Sequence, residues 1–85
     1  MSTVLIADDE RNIRSSVANT FEIEGYDVVT AEDGEQAVTA VERGGIDLMV
    51  LDLQMPKLDG IETLRKLREL RYDIPAIFLT AHGTF

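Results

Sequence analysis

The 85-residue sequence has no cysteine and a single histidine. Without cysteine, disulfide bonds and thiolate metal sites are excluded, and the chain suits a reducing compartment. Basic residues are also scarce, with 8 Lys and Arg against 16 Asp and Glu and a formal net charge of −8. Nucleic-acid binding needs a clustered excess of Lys and Arg, so this balance argues against a nucleic-acid partner.

Long apolar runs are missing as well. No apolar segment approaches the length that spans a bilayer. The first residues lead directly into a four-residue apolar run and then into acids, without the basic start and long apolar core of a signal peptide. We therefore expect a cytoplasmic protein with no membrane partner.

The composition, 45% hydrophobic and 28% charged, is typical of a soluble globular protein. The length predicts one small domain, residues 1–85, with little stability to spare. An acidic excess usually serves only solubility. It becomes informative if the carboxylates converge, because a convergent cluster attracts a hard divalent cation.

One stretch, Asp47–Gly60, organises the chain and reads DLMVLDLQMPKLDG. The apolar run Leu48–Leu51 is bounded by turn signals, which indicates a strand buried on both faces in the middle of a parallel sheet. Asp52 follows this run directly. Ligands of open α/β sheets collect at the carboxyl ends of the strands, so a carboxylate at this position is a candidate site residue.

The rest of the chain has the rhythm of three βα units followed by a strand. The predicted elements are a strand at Val4–Ala7, a helix at Asn12–Glu24, a strand at Tyr26–Ala31 near a sheet edge, a helix after Asp33, the strand at Leu48–Leu51, a helix after Asp59 and a strand at Ala76–Thr80. Strands and helices that alternate at this spacing predict a parallel sheet with right-handed crossovers.

Helical periodicity predicts the face that each helix buries. The predicted buried positions are Ile13, Val17, Ala18, Thr20 and Phe21 in the first helix, Ala37, Val38, Ala40 and Val41 in the second, and Ile61, Leu64, Leu67 and Leu70 in the third. Capping boxes are predicted at the start of the second helix, from Asp33 with Gln36, and of the third, from Asp59 with Glu62.

The carboxyl ends of the predicted strands carry Asp8 and Asp9, then Asp52, then Thr80. If the first, third and fourth strands are neighbours, these side chains meet in one crevice. Taken singly, Asp8 is explained as a helix cap and Asp52 as a solvated strand end. Three acids at matching strand ends instead favour a site for Mg²⁺, which prefers carboxylate, carbonyl and water oxygens.

These motifs resemble the receiver domains of bacterial two-component response regulators, from Val4 to Ala81. The shared features, in order, are the pair Asp8-Asp9 after the first strand, the aspartate that ends the third strand in DLMVLDLQMP, the MPKLDG turn, and Thr80-Ala81 after the fourth strand. Each feature is weak alone, and their combination in this order is specific.

The resemblance implies an α/β, flavodoxin-like, doubly wound parallel sheet with strand order 2-1-3-4. It makes Asp52 the acceptor of a phosphoryl group from a histidine kinase or phosphotransfer protein. Mg²⁺ would be held by Asp9, Asp52 and the Gln54 backbone carbonyl, with Asp8 acting through water, and Thr80 would be the switch hydroxyl. Such a domain assists its own phosphotransfer and dephosphorylation and is not a turnover enzyme.

The chain departs from the family after the fourth strand. Receivers normally continue through a fourth helix, a fifth strand ending in Lys-Pro and a fifth helix, whereas this sequence stops at Phe85. Lys57 and Lys66 do not take the position of that lysine. Because the fourth strand is apolar throughout, we expect an exposed edge and a symmetric homodimer around this strand and the chain end.

The sequence argues against two other functions and leaves a third open. A dinucleotide-binding domain needs a Gly-rich loop after the first strand, where this chain has Asp-Asp-Glu. A Mg²⁺ phosphatase with an aspartyl nucleophile needs a second acid two residues after it, where this chain has Gln54. The stronger alternative is a shortened receiver that dimerises or occupies a kinase without signalling through phosphate.

Overall fold

A computed structural model describes residues 2–80. The elements in chain order are β1 (Thr3–Ala7), α1 (Arg11–Ile23), β2 (Asp27–Ala31), α2 (Gly34–Glu42), β3 (Leu48–Asp52), α3 (Gly60–Glu69) and β4 (Ala76–Leu79). The four strands form one parallel sheet in the order β2-β1-β3-β4, which confirms the predicted fold and strand order. None of the helices within residues 2–80 has the length and apolar character needed to cross a membrane.

The sheet separates two hydrophobic cores, because alternate residues of a strand face opposite sides. Leu5 and Ala7 of β1 pack with α2 and α3 on one side, while Val4 and Ile6 pack with α1 on the other. These four side chains are completely buried. The central strands are therefore apolar on both faces, as the continuous apolar runs predicted.

The strand register places the candidate site residues at one edge of the sheet. Ala7 pairs with both Ala31 and Leu51, so the residues that follow β1 lie beside the end of β3. Asp52 pairs with Leu79, which is the last residue of β4. β4 thus ends one residue earlier than predicted, and Thr80 follows it directly.

The predicted helix faces are only partly correct. The second helix buries all four of its predicted positions. In the other two helices, however, several predicted positions are exposed, namely Ile13, Thr20, Ile61 and Leu70. α3 buries the predicted Leu67 together with Gly60 and Thr63, and Thr63 lies beside Gly34 of α2. Periodicity shows which residues share a face, but the neighbouring elements decide how much of that face is covered.

The helix caps also differ in detail. Asp59 and Glu62 form the predicted capping box, with reciprocal bonds of 2.8 and 3.0 Å. Asp33 accepts a hydrogen bond from the Gln36 N–H at 2.8 Å, as predicted. The Gln36 side chain, however, accepts from the Glu32 N–H at 2.9 Å, so the capping box predicted there is not closed on Asp33.

Candidate functional site

An acidic cluster lies at the carboxyl edge of the sheet between β1 and β3. Asp8, Asp9 and Asp52 each bring a carboxylate oxygen to within 4.8 Å of the others. Asp8 is 2% exposed and Asp52 is 7% exposed, whereas Asp9 is open to solvent. The fold therefore brings together the three acids that the sequence predicted at these strand ends.

Asp8 is held by three hydrogen bonds. Its N–H donates to the Ala31 carbonyl at 3.1 Å, its Oδ1 accepts from the Glu10 N–H at 2.8 Å, and its carbonyl accepts from the Arg14 guanidinium at 2.8 Å. The N-cap of α1 is Glu10, with no side-chain cap bond. The explanation of Asp8 as a helix cap is therefore wrong, and its buried carboxylate belongs to the acidic cluster.

Asp52 ends β3 and begins the turn that leads to α3. Its Oδ1 accepts a hydrogen bond from the Gln54 N–H at 3.2 Å. Burial raises the pKa of the Asp52 carboxyl from its ordinary 3.8 to about 6, and the negative charges of Asp8 and Asp9 push it the same way against the opposing effect of that hydrogen bond. In the absence of a cation, ionised Asp52 is therefore disfavoured by its surroundings.

Thr80 lies on the same cavity, which has a volume of about 290 Å³. Its walls are formed by Asp8, Asp9, Glu10, Ile13, Val17, Asp52, Gln54, Leu79 and Thr80. The Thr80 hydroxyl is buried and makes no hydrogen bond within the part of the chain that the structure describes. A buried hydroxyl without a partner is costly, so it is suited to a polar group that enters the cavity. Ala81, the other half of the predicted Thr-Ala pair, lies outside the described residues.

The donor atoms of this site suit Mg²⁺. They are carboxylate oxygens that repel one another, and Gln54 lines the cavity beside them. A hard divalent cation would stabilise the ionised form of Asp52 against the burial, and the smaller repulsion from Asp8 and Asp9, that raise its pKa. The residues present thus fit an oxygen-ligated metal ion.

Sequence reasoning missed the contribution of three residues to this site. Ile13 and Val17, which helical spacing predicts to be buried, both line the cavity, and Val17 also packs against the core as predicted. Arg14 is not among the buried positions predicted for α1, yet its guanidinium donates to the Asp8 carbonyl. The only signal in the sequence for this contact is the position of Arg14 in the first turn of the helix that follows Asp8 and Asp9.

The parallel sheet with an acidic cluster at its carboxyl edge defines a flavodoxin-like α/β domain with a candidate metal site. Comparison with known proteins identifies the family. Residues 4–85 match the response regulator receiver domain. The chain is 43% identical over 84 residues to the transcriptional regulatory protein CpxR of Escherichia coli, covering 99% of this chain and 35% of that protein. It is 45% identical over 78 residues to the alkaline phosphatase synthesis transcriptional regulatory protein PhoP of Bacillus subtilis, covering 92% and 32%. The chain thus spans about a third of the length of these curated relatives.

Solved structures of response regulators have the same fold as this chain. The receiver domain of the Francisella response regulator 1452 has a TM-score of 0.91 at 36% identity, covering 99% of this chain and 69% of that one. Thermotoga maritima TrrA in complex with Mg²⁺-BeF has a TM-score of 0.89 at 40% identity, covering 95% and 70%. TrrA in complex with the histidine kinase ThkA has a TM-score of 0.89 at 38% identity, covering 100% and 73%. The chain belongs to the response regulator receiver domain family.

Proposed function

We propose that this chain accepts a phosphoryl group on Asp52, with Mg²⁺ bound, from a histidine kinase or phosphotransfer protein of a two-component system. The observation that carries the proposal is the convergence of Asp8, Asp9 and Asp52 within 4.8 Å at the end of β3. Thr80, with its unpartnered hydroxyl, lines the same cavity. The Mg²⁺-BeF complex of TrrA and its complex with the kinase ThkA support the cofactor and the partner.

In this proposal an Asp52 carboxylate oxygen attacks phosphorus, a P–O bond forms, and the P–N bond to the donor imidazole breaks with its electron pair returning to nitrogen. Only the ionised carboxylate is a nucleophile. The pKa of Asp52, about 6, leaves this group mostly ionised at neutral pH, and a bound cation would favour the ionised form further. When bound, Mg²⁺ neutralises charge on the transferring oxygens and aligns donor and acceptor. Asp9, Asp52 and the Gln54 carbonyl would hold it, with Asp8 acting through water.

Asp8 and Thr80 have distinct roles in the proposed reaction. Asp8 is fixed by its hydrogen bonds before any ligand arrives, so it presents its charge without reorganisation. The Thr80 hydroxyl would donate to a phosphoryl oxygen, which gives this buried group the partner it lacks. That new bond would report phosphorylation to the end of β4. The domain acts as a signalling module and not as a turnover enzyme.

The second candidate is a receiver-derived interaction module that self-associates or occupies a kinase without phosphate signalling. It is favoured by the exposure of two large apolar side chains on β4, Ile77 at 52% and Phe78 at 38%. Exposed apolar edge strands are templates for pairing with another chain. Self-association is compatible with phosphorylation, so the two candidates are separated by the chemistry of Asp52.

The test is phosphorylation by a small donor. The protein is incubated with Mg²⁺ and acetyl phosphate, and its intact mass is measured. We expect one added phosphoryl group on the wild type, none on Asp52→Ala, and none when EDTA replaces Mg²⁺. Asp73→Ala, which removes an exposed carboxylate elsewhere on the surface, is the matched control and should be modified normally. A wild-type protein that stays unmodified would favour the interaction module.

A further inference from the structure

The β3–α3 loop, residues 53–59, is fastened at its two ends. The Leu53 N–H donates to the Leu79 carbonyl at 3.0 Å, and the Gly60 N–H donates to the Leu53 carbonyl at 3.1 Å. Gly60 also packs against the backbone of Asp52. The loop thus leaves and rejoins the fold at nearly the same point, directly beside the acidic cluster.

The tip of the loop adopts an unusual backbone conformation at Lys57. Its φ is 70°, in the left-handed region, which side chains other than glycine rarely occupy. The Leu58 N–H donates to the Pro56 carbonyl at 2.9 Å, which closes a γ-turn around Lys57. A γ-turn with positive φ is rare and strained, so neighbouring contacts must hold it in place.

The contacts that hold it come from the start of α2. The Lys57 Nζ lies 3.7 Å from the Asp33 Oδ2 and 3.6 Å from the Glu35 Oε1, and these are the ion pairs found within residues 2–80. Asp33 is largely buried, and its other oxygen caps α2. Beside this pair, Gly34 packs so closely on Leu58 that a Cβ at Gly34 would overlap it. The loop tip is therefore joined to α2 by charge and by packing.

We infer that Lys57 is a positioning residue for the metal site, an inference that rests on the function proposed above. The loop carries Gln54, whose backbone carbonyl is a proposed Mg²⁺ ligand, between the fixed end at Leu53 and the tip at Lys57. The direction of a backbone carbonyl depends on the dihedral angles of its own loop. By tying the strained tip to α2, Lys57 keeps the loop in the conformation that presents the Gln54 carbonyl beside Asp52.

The competing explanation is that Lys57 is an ordinary surface lysine, because its side chain is 58% exposed. Exposed ion pairs are weak and sensitive to salt. The effect on Mg²⁺ affinity should therefore be modest, roughly two- to fivefold, and confined to low ionic strength. This size and this salt dependence distinguish a positioning ion pair from general damage to the fold.

The test measures Mg²⁺ affinity by calorimetric titration at low and high salt. Lys57→Met is compared with Lys66→Met, which removes the same charge from an exposed position on α3 that forms no ion pair with any of residues 2–80. We expect Lys57→Met to bind Mg²⁺ roughly two- to fivefold more weakly than Lys66→Met at low salt, and equally at high salt. Lys57→Arg should restore binding. Equal affinity of the two methionine variants at low salt would overturn the inference.

A double-mutant cycle isolates the ion pair from the rest of the loop. Asp33→Asn keeps an oxygen for the α2 cap and removes the charge that faces Lys57. It should weaken Mg²⁺ binding in the wild-type background and have no further effect in Lys57→Met. If the double variant loses Mg²⁺ affinity by the product of the two single-variant losses, the Lys57–Asp33 pair does not position the loop.

A second readout needs no metal and keeps the inference separate from the proposed function. In metal-free protein, Lys57→Met should shift the backbone amide NMR signals of Gln54 and Met55, and Lys66→Met should leave them in place. If the wild type fails to bind Mg²⁺, the proposed function fails while these signals still report on the loop. Unchanged signals in Lys57→Met would exclude Lys57 as a positioning residue.

Discussion

Gly60, the first residue of α3, lies against the backbone carbonyl oxygen of Asp52, so closely that a Cβ at this position would overlap that oxygen. Its φ is not in the left-handed region, so glycine is required here for the close approach and not for its conformational freedom. α3 is therefore packed directly on the proposed phosphoacceptor, and the position of this helix and the geometry of the site depend on each other.

This contact predicts the effect of Gly60→Ala. The added methyl group must push α3 away from β3, which should cost about 1–3 kcal/mol of unfolding free energy and reduce phosphorylation of Asp52. Gly44→Ala is the control, because nothing lies within 4 Å of a Cβ there and only its φ of 90° is unfavourable for alanine. Urea unfolding and acetyl phosphate labelling measure the two effects. Normal labelling of Gly60→Ala would show that the close contact does not shape the site.

The raised pKa of Asp52 predicts a pH-dependent gain of stability in Asp52→Asn without metal. As pH rises from about 4 to about 6, the unfolded state loses the Asp52 proton before the folded state does, so wild-type stability falls. Asparagine carries no such charge. We expect the unfolding free energy of the variant to exceed that of the wild type by about 3 kcal/mol at pH 7, and most of this difference to disappear near pH 4.

Urea unfolding in EDTA across this pH range measures the difference. Asp73→Asn, at an exposed position away from the acidic cluster, serves as the control. Its difference in unfolding free energy from the wild type should not increase with pH. A stability difference between Asp52→Asn and wild type that is the same at pH 4 and pH 7 would contradict the burial of an ionisable Asp52 carboxylate.

Magnesium should stabilise the wild type. A ligand that binds only the folded state at a hundred times its dissociation constant adds about 2.7 kcal/mol, so the melting temperature should rise with Mg²⁺ and fall back with EDTA. The rise should shrink below pH 6, because protons compete with the cation for Asp52. Asp9→Asn, which removes the exposed ligand, should reduce the rise, and an undiminished response in this variant would place the ion elsewhere.

Exposed β4 residues predict self-association of this 85-residue chain. Ile77 and Phe78 leave large apolar surface uncovered on the strand, so we propose a homodimer formed around β4. Sedimentation velocity at micromolar concentrations should show a dimer for the wild type and a monomer for Ile77→Lys. Ile23→Lys changes an even more exposed isoleucine on α1 and should leave the dimer intact. A monodisperse wild-type monomer would exclude this interface.

Much of the fold follows from local patterns in the sequence. The apolar runs at Val4–Ala7 and Leu48–Leu51 predicted the buried strands, and the acids at Asp33 and Asp59 predicted where α2 and α3 begin. These signals are strong because strand burial and helix capping involve residues close together in the chain. The strand order came from the family resemblance, and hydrogen-bonded pairing of the strands confirms it.

Helix coverage could not be predicted in the same way. Ile61, Leu67 and Leu70 are all predicted to be buried, but only Leu67 is. Leu70 is the C-cap residue that follows α3, and at about 100° per residue it lies on the side of the helix opposite Ile61, so one buried face cannot hold both. The face that is buried is set where α3 begins, by the close approach of Gly60 to the backbone of Asp52. Such an approach depends on residues distant in sequence, so periodicity within one helix carries no information about it.

The sequence by itself determined the residues of the candidate site. Asp8, Asp9, Asp52 and Thr80 had to meet once their strands were parallel neighbours, since parallel strands end at one edge of a sheet. The tertiary structure decided the protonation behaviour of Asp52 and the anchoring of the loop beside it. Burial and mutual repulsion raise the pKa of Asp52, and the reach of Lys57 to Asp33 ties the loop beside it, because both depend on distances between elements that no local pattern encodes.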